Sequence, residues 1–129
     1  MRKFFLKNDV VVETRTDKSM YVMGEEVSMS VAVKNAGSSL VELVFGSAQR
    51  YDFVVLKDGD EVWRWSLDRV FAMNLELMSL EPGEKQFFRE TWKLVDVIPG
   101  CYTLKGMITS QKVCSSSCTF KVVDGKFGY

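Results

Sequence analysis

Histidine is absent from the 129 residues, and this limits the chemistry that the chain can perform. Without it there is no Ser-His-Asp or Cys-His nucleophile system, no histidine acid–base catalysis and no His-ligated catalytic zinc site. The sequence also lacks a phosphate-binding glycine loop and a Gly-x-Ser-x-Gly elbow. We therefore expect a protein that is not an enzyme and that has no catalytic residues, no cofactor and no metal site.

Seven of the 17 acidic residues lie in three short segments that contain or follow a glycine. Asp58-Gly59-Asp60-Glu61 has its glycine between the acids, whereas an EF-hand calcium loop places glycine after three alternating acids. The Asp-Gly pair is instead typical of a β-hairpin turn. Glu25-Glu26 and Glu81-Pro82-Gly83-Glu84 are interpreted as solvated turn carboxylates, since neither has a partner placed for acid catalysis.

Cys101, Cys114 and Cys118 are an odd number, so they cannot all pair within the chain. If residues 110–112 form a hairpin turn, Cys114 and Cys118 face the same apolar side as Tyr102 and Leu104, and we expect them to be small core residues. A disulfide between them would need a bulge at residues 115–117, because four residues of regular strand separate Cα atoms by about 13 Å. A zinc site would lack two of its four ligands.

Apolar and polar residues alternate along most of the chain, which is typical of half-buried β-strands. The clearest run is Val27, Met29, Val31 and Val33 between smaller or polar neighbours. Turn signals recur about every 8–12 residues, the spacing of a sandwich or barrel. The sequence therefore predicts an all-β fold, an immunoglobulin-like antiparallel β-sandwich of about seven to nine strands. The expected strands are Val10–Glu13, Val27–Val33, Val41–Phe45, Tyr51–Val55, Val62–Trp65, Leu75–Leu77, Phe87–Trp92 and Tyr102–Leu104.

Helical spacing occurs in one short segment, Ser66–Met73, where Leu67, Val70 and Phe71 would share a face and Ser66 would be the N-cap. It offers at most one short helix. Tyr102 follows a Pro99-Gly100 turn, which predicts a tyrosine corner in which its hydroxyl bonds a nearby backbone group.

The remaining parts of the chain complete the expected organisation. Residues 1–129 are expected to form one domain, with loose ends at 1–9 and 124–129. The methionines are expected to fill gaps in the core, among them Met20, Met23, Met29, Met73 and Met78.

Charge and hydropathy limit the partners and the compartment. Seventeen basic and 17 acidic residues give a formal net charge of zero, which disfavours a nucleic-acid partner. Residues 1–6 begin like a signal peptide, but Lys7, Asn8 and Asp9 interrupt the apolar run too early. No run is long enough for membrane insertion. We expect a cytoplasmic protein, with a secreted or envelope-associated one as the alternative if the sequence is a trimmed form.

The triplet Trp63-Arg64-Trp65 has two interpretations. In the first, both indoles lie on one strand face and fill the core. In the second, one of them is exposed beside Arg50 and Tyr51 as an anchor for a protein partner, since Trp, Tyr and Arg dominate binding hot spots.

Several segments in a fixed order resemble the BsuPI family of intracellular proteinase inhibitors over about residues 25–110. They are Val33-Lys34-Asn35, Phe45-Gly46-Ser47-Ala48-Gln49-Arg50-Tyr51-Asp52-Phe53-Val54-Val55, Trp63-Arg64-Trp65-Ser66, Phe71, Leu80-Glu81-Pro82-Gly83-Glu84, Trp92 and Pro99-Gly100-Cys101-Tyr102-Thr103-Leu104. The resemblance implies an immunoglobulin-like domain that inhibits an intracellular, subtilisin-like serine protease. The chain differs from the family's short form by extra residues before Val10 and by its three cysteines.

An inhibitor of this kind needs an exposed loop or edge strand that enters the protease cleft. Gly46–Arg50 is the candidate loop, although it also suits an ordinary connection between strands. The candidate protein-binding residues are Gln49, Arg50, Tyr51, Trp63 and Trp65. The alternative function is a non-catalytic, protein-binding accessory domain, which would be found at the cell envelope.

Overall fold

The computed structural model describes residues 5–7, 9–112 and 114–125, and the side chains of all of these except 5–7. The described residues form eleven β-strands and one 3-10 helix at Trp65–Asp68. The all-β class is confirmed, and the strand count includes two strands of only three residues, β1 and β3. The strands are β1 Phe5–Lys7, β2 Val10–Thr16, β3 Met20–Val22, β4 Glu26–Asn35, β5 Val41–Phe45, β6 Tyr51–Lys57, β7 Asp60–Arg64, β8 Glu76–Leu80, β9 Lys85–Lys93, β10 Gly100–Ile108 and β11 Cys114–Val123.

Two sheets form the sandwich. One has four strands in the order β1-β2-β4-β9, and the other has five in the order β3-β11-β10-β6-β7. Strands β5 and β8 form a separate two-stranded ribbon. Neighbouring strands are antiparallel except β3, which runs parallel to β11.

The core follows from the alternation in the sequence. On β4, Val27, Met29, Val31 and Val33 are all buried, as predicted. The β10–β11 hairpin pairs Tyr102 with Phe120, Leu104 with Cys118 and Ile108 with Cys114 in an unbroken register. The predicted parity is therefore confirmed. Cys114 and Cys118 are core residues, the strand has no bulge at 115–117, and burial raises the pKa of the Cys118 thiol.

The two sheets approach closely at one polar contact. The Thr14 hydroxyl lies 2.7 Å from that of Ser116 on the opposite sheet, and both side chains are buried. Gly106 on β10 makes room for this pair, because a Cβ there would meet Thr14 Oγ1 at 2.4 Å. The buried pair is tolerated because both donors have acceptors: the Ser116 hydroxyl donates to Thr14 Oγ1, and the Thr14 hydroxyl donates to the Ser116 carbonyl oxygen at 3.2 Å.

Two predicted turn features are confirmed. Asp58 and Gly59 both have positive φ angles, 52° and 85°, which is the type I′ arrangement that closes the β6–β7 hairpin. Tyr102 forms the tyrosine corner, donating its hydroxyl proton to the Ile98 carbonyl oxygen.

Three expectations about local structure were wrong. At most one short helix was expected, and the described residues contain one, Trp65–Asp68; however, it does not extend over the predicted 66–73, its N-cap is Arg64 instead of Ser66, and Leu67 is exposed. Of the predicted loose N-terminal end, residues 5–7 form β1 and pair with β2, whereas 1–4 and 8 lie outside the described residues. Met20 and Met73 are exposed, although Met29 and Met78 are buried.

Of the predicted C-terminal loose end, Asp124 and Gly125 follow β11, and 126–129 lie outside the described residues.

The ribbon is tied to both sheets at its base. Asn35, buried at the end of β4, donates through its side-chain amide to the carbonyl oxygens of Leu80 (2.9 Å) and Ser39 (2.7 Å). On the other side the Gln111 amide donates to the Val44 carbonyl oxygen at 2.7 Å. These bonds fix the ribbon, and with it the loops that lead into β6 and β8.

Candidate functional site

Two connections meet at one end of the molecule. Residues 46–50, here called the supporting loop, join β5 to β6; residues 69–75, the exposed segment, join the 3-10 helix to β8. The Ala48 amide donates to the Ala72 carbonyl oxygen at 2.8 Å, so the supporting loop holds the middle of the exposed segment.

The supporting loop uses its long side chains for internal bonds. Gln49 Nε2 donates to the Tyr51 carbonyl oxygen at 3.0 Å, and the Gln49 carbonyl oxygen accepts from the Thr109 hydroxyl at 2.9 Å. Arg50 forms a half-buried ion pair with Glu76 at 2.8 Å and lies over the Phe45 ring. Arg50 and the amide of Asn74 together hold the pKa of Glu76 below its usual value.

An aromatic cluster, the Tyr51 cluster, lies beneath the two connections. The Tyr51 ring stacks on Trp65 with centroids 4.6 Å apart and on Phe88 at 4.7 Å. Phe71 of the exposed segment also packs against Trp65, with ring centroids 5.8 Å apart. The Tyr51 hydroxyl bonds the Glu90 carboxylate, and burial together with this bond raises the pKa of Tyr51.

A buried carboxylate fixes the start of the helical turn. Asp52 accepts from the amides of Phe53 (2.8 Å) and Ser66 (3.1 Å), from the Ser66 hydroxyl, and from Arg64 at 3.3 Å. Ser66 therefore bonds Asp52 on β6 instead of capping a helix. Because four donors converge on one buried side chain, the chain direction at residues 64–66 is set by Asp52.

The exposed segment carries apolar side chains that contact little else. Val70 is 98% exposed and Met73 is 85% exposed, and Leu75 is also mostly exposed. Phe71 alone turns inward to the Tyr51 cluster. Met73 was expected to fill a gap in the core, and that prediction was wrong; Val70 was expected to share a helical face with Leu67 and Phe71, and that helix does not form.

The segment is held at both ends as well as in the middle. The Arg69 guanidinium lies 4.5 Å from the Trp65 ring centroid, and its Nε donates to the Trp65 carbonyl oxygen at 3.2 Å. At the other end, Asn74 Nδ2 donates to Glu76, which is itself paired with Arg50. The arrangement presents an uncharged stretch of backbone without regular secondary structure, held at three points by the rest of the protein.

The five predicted protein-binding residues do not all come together. Gln49, Arg50, Tyr51 and Trp65 lie in or directly beneath the two connections. Trp63 packs elsewhere: it stacks on Trp92 with centroids 5.3 Å apart, in a second cluster that includes Tyr102. Sequence reasoning missed the exposed segment, although residues 70–75 are without a charged residue between Arg69 and Glu76, which was an available signal.

The described residues offer neither a metal-binding cluster nor a helix that could span a membrane. No group of three or more His, Cys, Asp or Glu side chains there could hold a metal ion. In the same part of the chain, no helix is long and apolar enough to cross a membrane.

The sequence matches one family model over most of its length. The model of BsuPI, described as intracellular proteinase inhibitor, covers residues 14–113. This range includes the supporting loop, the exposed segment and both aromatic clusters. No curated protein matches the chain significantly.

Solved structures with low sequence identity share the fold. Spo0M, a sporulation control protein from Bacillus subtilis, is 21% identical with a TM-score of 0.58, and the match covers 90% of this chain and 50% of that one. The CARDB domain of the PF1109 protein from Pyrococcus furiosus is 17% identical with a TM-score of 0.52, over 90% of this chain and 94% of the domain.

A β-glucosidase from Erythrobacter marinus is 14% identical with a TM-score of 0.51, over 95% of this chain but only 15% of the enzyme. This chain therefore spans half or less of two of the proteins it matches. At these identities the likeness concerns the sandwich fold alone.

Proposed function

The chain belongs to the BsuPI family of intracellular proteinase inhibitors, and on this premise we propose that it inhibits a subtilisin-like serine protease of the cytoplasm. The proposed mechanism is non-covalent occlusion of the active-site cleft. The chain contributes no catalytic group to this role and needs no cofactor.

The observation that supports occlusion is that the exposed segment is held in place by the residues beneath it. Association is costly when a loop must be ordered on binding, and a segment already held in one conformation avoids much of that cost. Here the Ala48–Ala72 bond, the Arg69–Trp65 contact and the Glu76–Arg50 pair hold the segment in its middle and at its two ends.

The predicted binding residues take different parts in this proposal. Gln49, Arg50, Tyr51 and Trp65 act by supporting the exposed segment, since their side chains are engaged within the molecule. Trp63 is left out of the proposed contact surface, because it is half-buried against Trp92.

The test is a titration of the purified protein into a subtilisin-type serine protease, with hydrolysis of a small peptide substrate as the readout. We expect activity to fall linearly to an endpoint near one inhibitor per protease, with the inhibitor intact by mass spectrometry. A papain-type cysteine protease is the control for class selectivity. If micromolar protein leaves the serine protease fully active, the proposal is wrong, and the accessory protein-binding domain becomes the better interpretation.

A further inference from the structure

The exposed segment has the properties of a peptide substrate held in place. Resting on the proposed inhibitor function, we infer that residues 70–75 lie in the protease cleft as an added extended strand, and that Val70 and Met73 fill two apolar pockets there. The partner is thus a protease whose cleft accepts an uncharged peptide with apolar side chains three positions apart, about 10 Å along an extended chain and on its two opposite faces.

The backbone of the segment is available for strand addition. Residues 69–75 belong to no strand. Among the described residues, the backbone hydrogen bonds of this stretch are Arg69 N to Ser66 O and Ala48 N to Ala72 O. The other amide and carbonyl groups can therefore pair with a cleft in the way a bound peptide adds to a sheet edge.

Residues that are bonded to the body of the protein alternate with the two exposed side chains, Val70 and Met73. Arg69 and Phe71 are both fixed on Trp65, and Val70 lies between them. The Ala72 carbonyl is fixed on Ala48 and the Asn74 amide on Glu76, and Met73 lies between those. Each of the two most exposed apolar side chains is thus flanked by positions that are bonded to the body of the protein.

The absence of charge in the exposed segment indicates which kind of cleft would accept it. Val70 to Leu75 contain no charged side chain, and the charges that flank them, Arg69 and Glu76, are engaged with Trp65 and Arg50. Transfer of Val70 and Met73 from water into apolar pockets is favourable, whereas transfer of a carboxylate into the same pockets is costly. An acidic substitution is therefore a sharp probe of these two contacts.

The experiment compares inhibition constants against the same subtilisin-type protease for four variants. Val70→Asp and Met73→Asp are expected to weaken inhibition by about tenfold or more each. Met73→Leu is expected to stay within about threefold of the original chain, since it keeps an apolar side chain of similar volume. Because both positions are almost fully exposed, thermal unfolding is expected to be unchanged in all variants.

Val95→Asp is the matched control. Val95 is 58% exposed and precedes the N-terminal end of β10, whereas Tyr51 pairs with Ile108 at the other end of that strand. It therefore adds the same charge at the opposite end of the sandwich, and inhibition is expected to be unaffected.

The outcomes separate the inference from the function on which it rests. If the original chain inhibits and both acidic segment variants inhibit equally well, the segment does not lie in the cleft, while the inhibitor function stands. Equal loss in the segment variants and in Val95→Asp would reveal a general charge effect and would also overturn the inference. If the original chain does not inhibit at all, the function and the inference are both wrong.

Discussion

Trp63 and Trp65 are two positions apart in the sequence, yet they belong to different regions of the molecule. Trp63, on β7, stacks on Trp92 within the body of the sandwich. Trp65, the first residue of the 3-10 helix, stacks on Tyr51 and carries Phe71 and Arg69 of the exposed segment. The chain leaves β7 between them, at Arg64, where Asp52 binds both Arg64 and Ser66.

The comparison shows that one aromatic cluster packs within the sandwich, whereas a different one supports the exposed segment. The Trp63 cluster joins β7, β9 and β10 and has no contact role in our proposal. The Tyr51 cluster joins β6, β9 and the exposed segment. Loss of a ring from the first should therefore affect stability alone, whereas loss of a ring from the second should affect stability and inhibition together.

The largest expected effect is that of Trp65→Ala. Removing this buried ring should lower the free energy of unfolding by about 3–5 kcal/mol. It should also weaken inhibition, because Phe71 and Arg69 lose the ring against which they pack. Trp63→Ala should cost about 1–3 kcal/mol, since the ring is only half-buried, and should leave inhibition unchanged. Urea unfolding and the inhibition constant, measured on both variants, check the comparison.

Trp65→Phe is the control for this pair. Among the described side chains, Trp65 Nε1 is buried without a hydrogen-bond partner, so phenylalanine keeps an aromatic ring and loses no hydrogen bond. We expect inhibition close to that of the original chain. Equal loss of inhibition in Trp63→Ala and Trp65→Ala would contradict the separation of the two clusters.

Asp52→Ala should have the next largest effect. It leaves the Ser66 and Phe53 amides and the Arg64 guanidinium without their buried acceptor, which should cost about 2–3 kcal/mol in chemical unfolding. Inhibition should weaken as well, since the exposed segment begins just after this corner. Asp52→Asn keeps part of the acceptor capacity and should be intermediate in both measurements; a variant with unchanged inhibition would show that the corner does not position the segment.

One hydroxyl can be removed from each cluster. Tyr51→Phe loses the bond to Glu90 and Tyr102→Phe loses the bond to Ile98, each at about 1 kcal/mol in thermal or urea unfolding. Neither should change the inhibition constant, because the rings and their stacking remain. Weaker inhibition in Tyr51→Phe alone would indicate that the hydroxyl itself contributes to the supported conformation.

The smallest effect concerns the half-exposed Arg50–Glu76 pair and appears as a pH dependence. The pKa of Glu76 is lowered in the folded chain, so its stabilisation is fully present above the unfolded value of about 4.5 and is lost as the pH falls through the folded value. Glu76→Gln should therefore be slightly less stable than the original chain at pH 7, and the difference should vanish in acid. Thermal melts of both proteins from pH 7 down to pH 3 measure it; a difference that does not shrink as the pH falls would assign it to another cause.

The sandwich and its core were largely predictable from the sequence. The alternation on β4, the Asp58-Gly59 hairpin, the tyrosine corner and the inward parity of Cys114 and Cys118 all follow from rules that act over a few residues. The candidate site was only half predictable. Gln49, Arg50, Tyr51, Trp63 and Trp65 were expected to contribute, whereas Met73 was expected to fill the core and Val70 to share a face of a short helix.

The reason for that error is local and physical. Leu67, Val70 and Phe71 have helical spacing, but Ser66 bonds Asp52 rather than capping a helix, and the helix ends at Asp68. The residue that decides this lies 14 positions away on β6. The spacing of apolar residues within an eight-residue segment gives no information about a hydrogen-bond partner that lies so far away in the sequence.

The sequence by itself determined the fold class, because each strand must turn one face to a common core and the period of two records which face. It also determined the absence of histidine-dependent chemistry. Only the tertiary structure decided that two neighbouring tryptophans separate and that an uncharged segment stays outside. Those outcomes depend on contacts such as Asp52–Ser66 and Ala48–Ala72, which join residues that the chain brings together only when both sheets and the ribbon are formed.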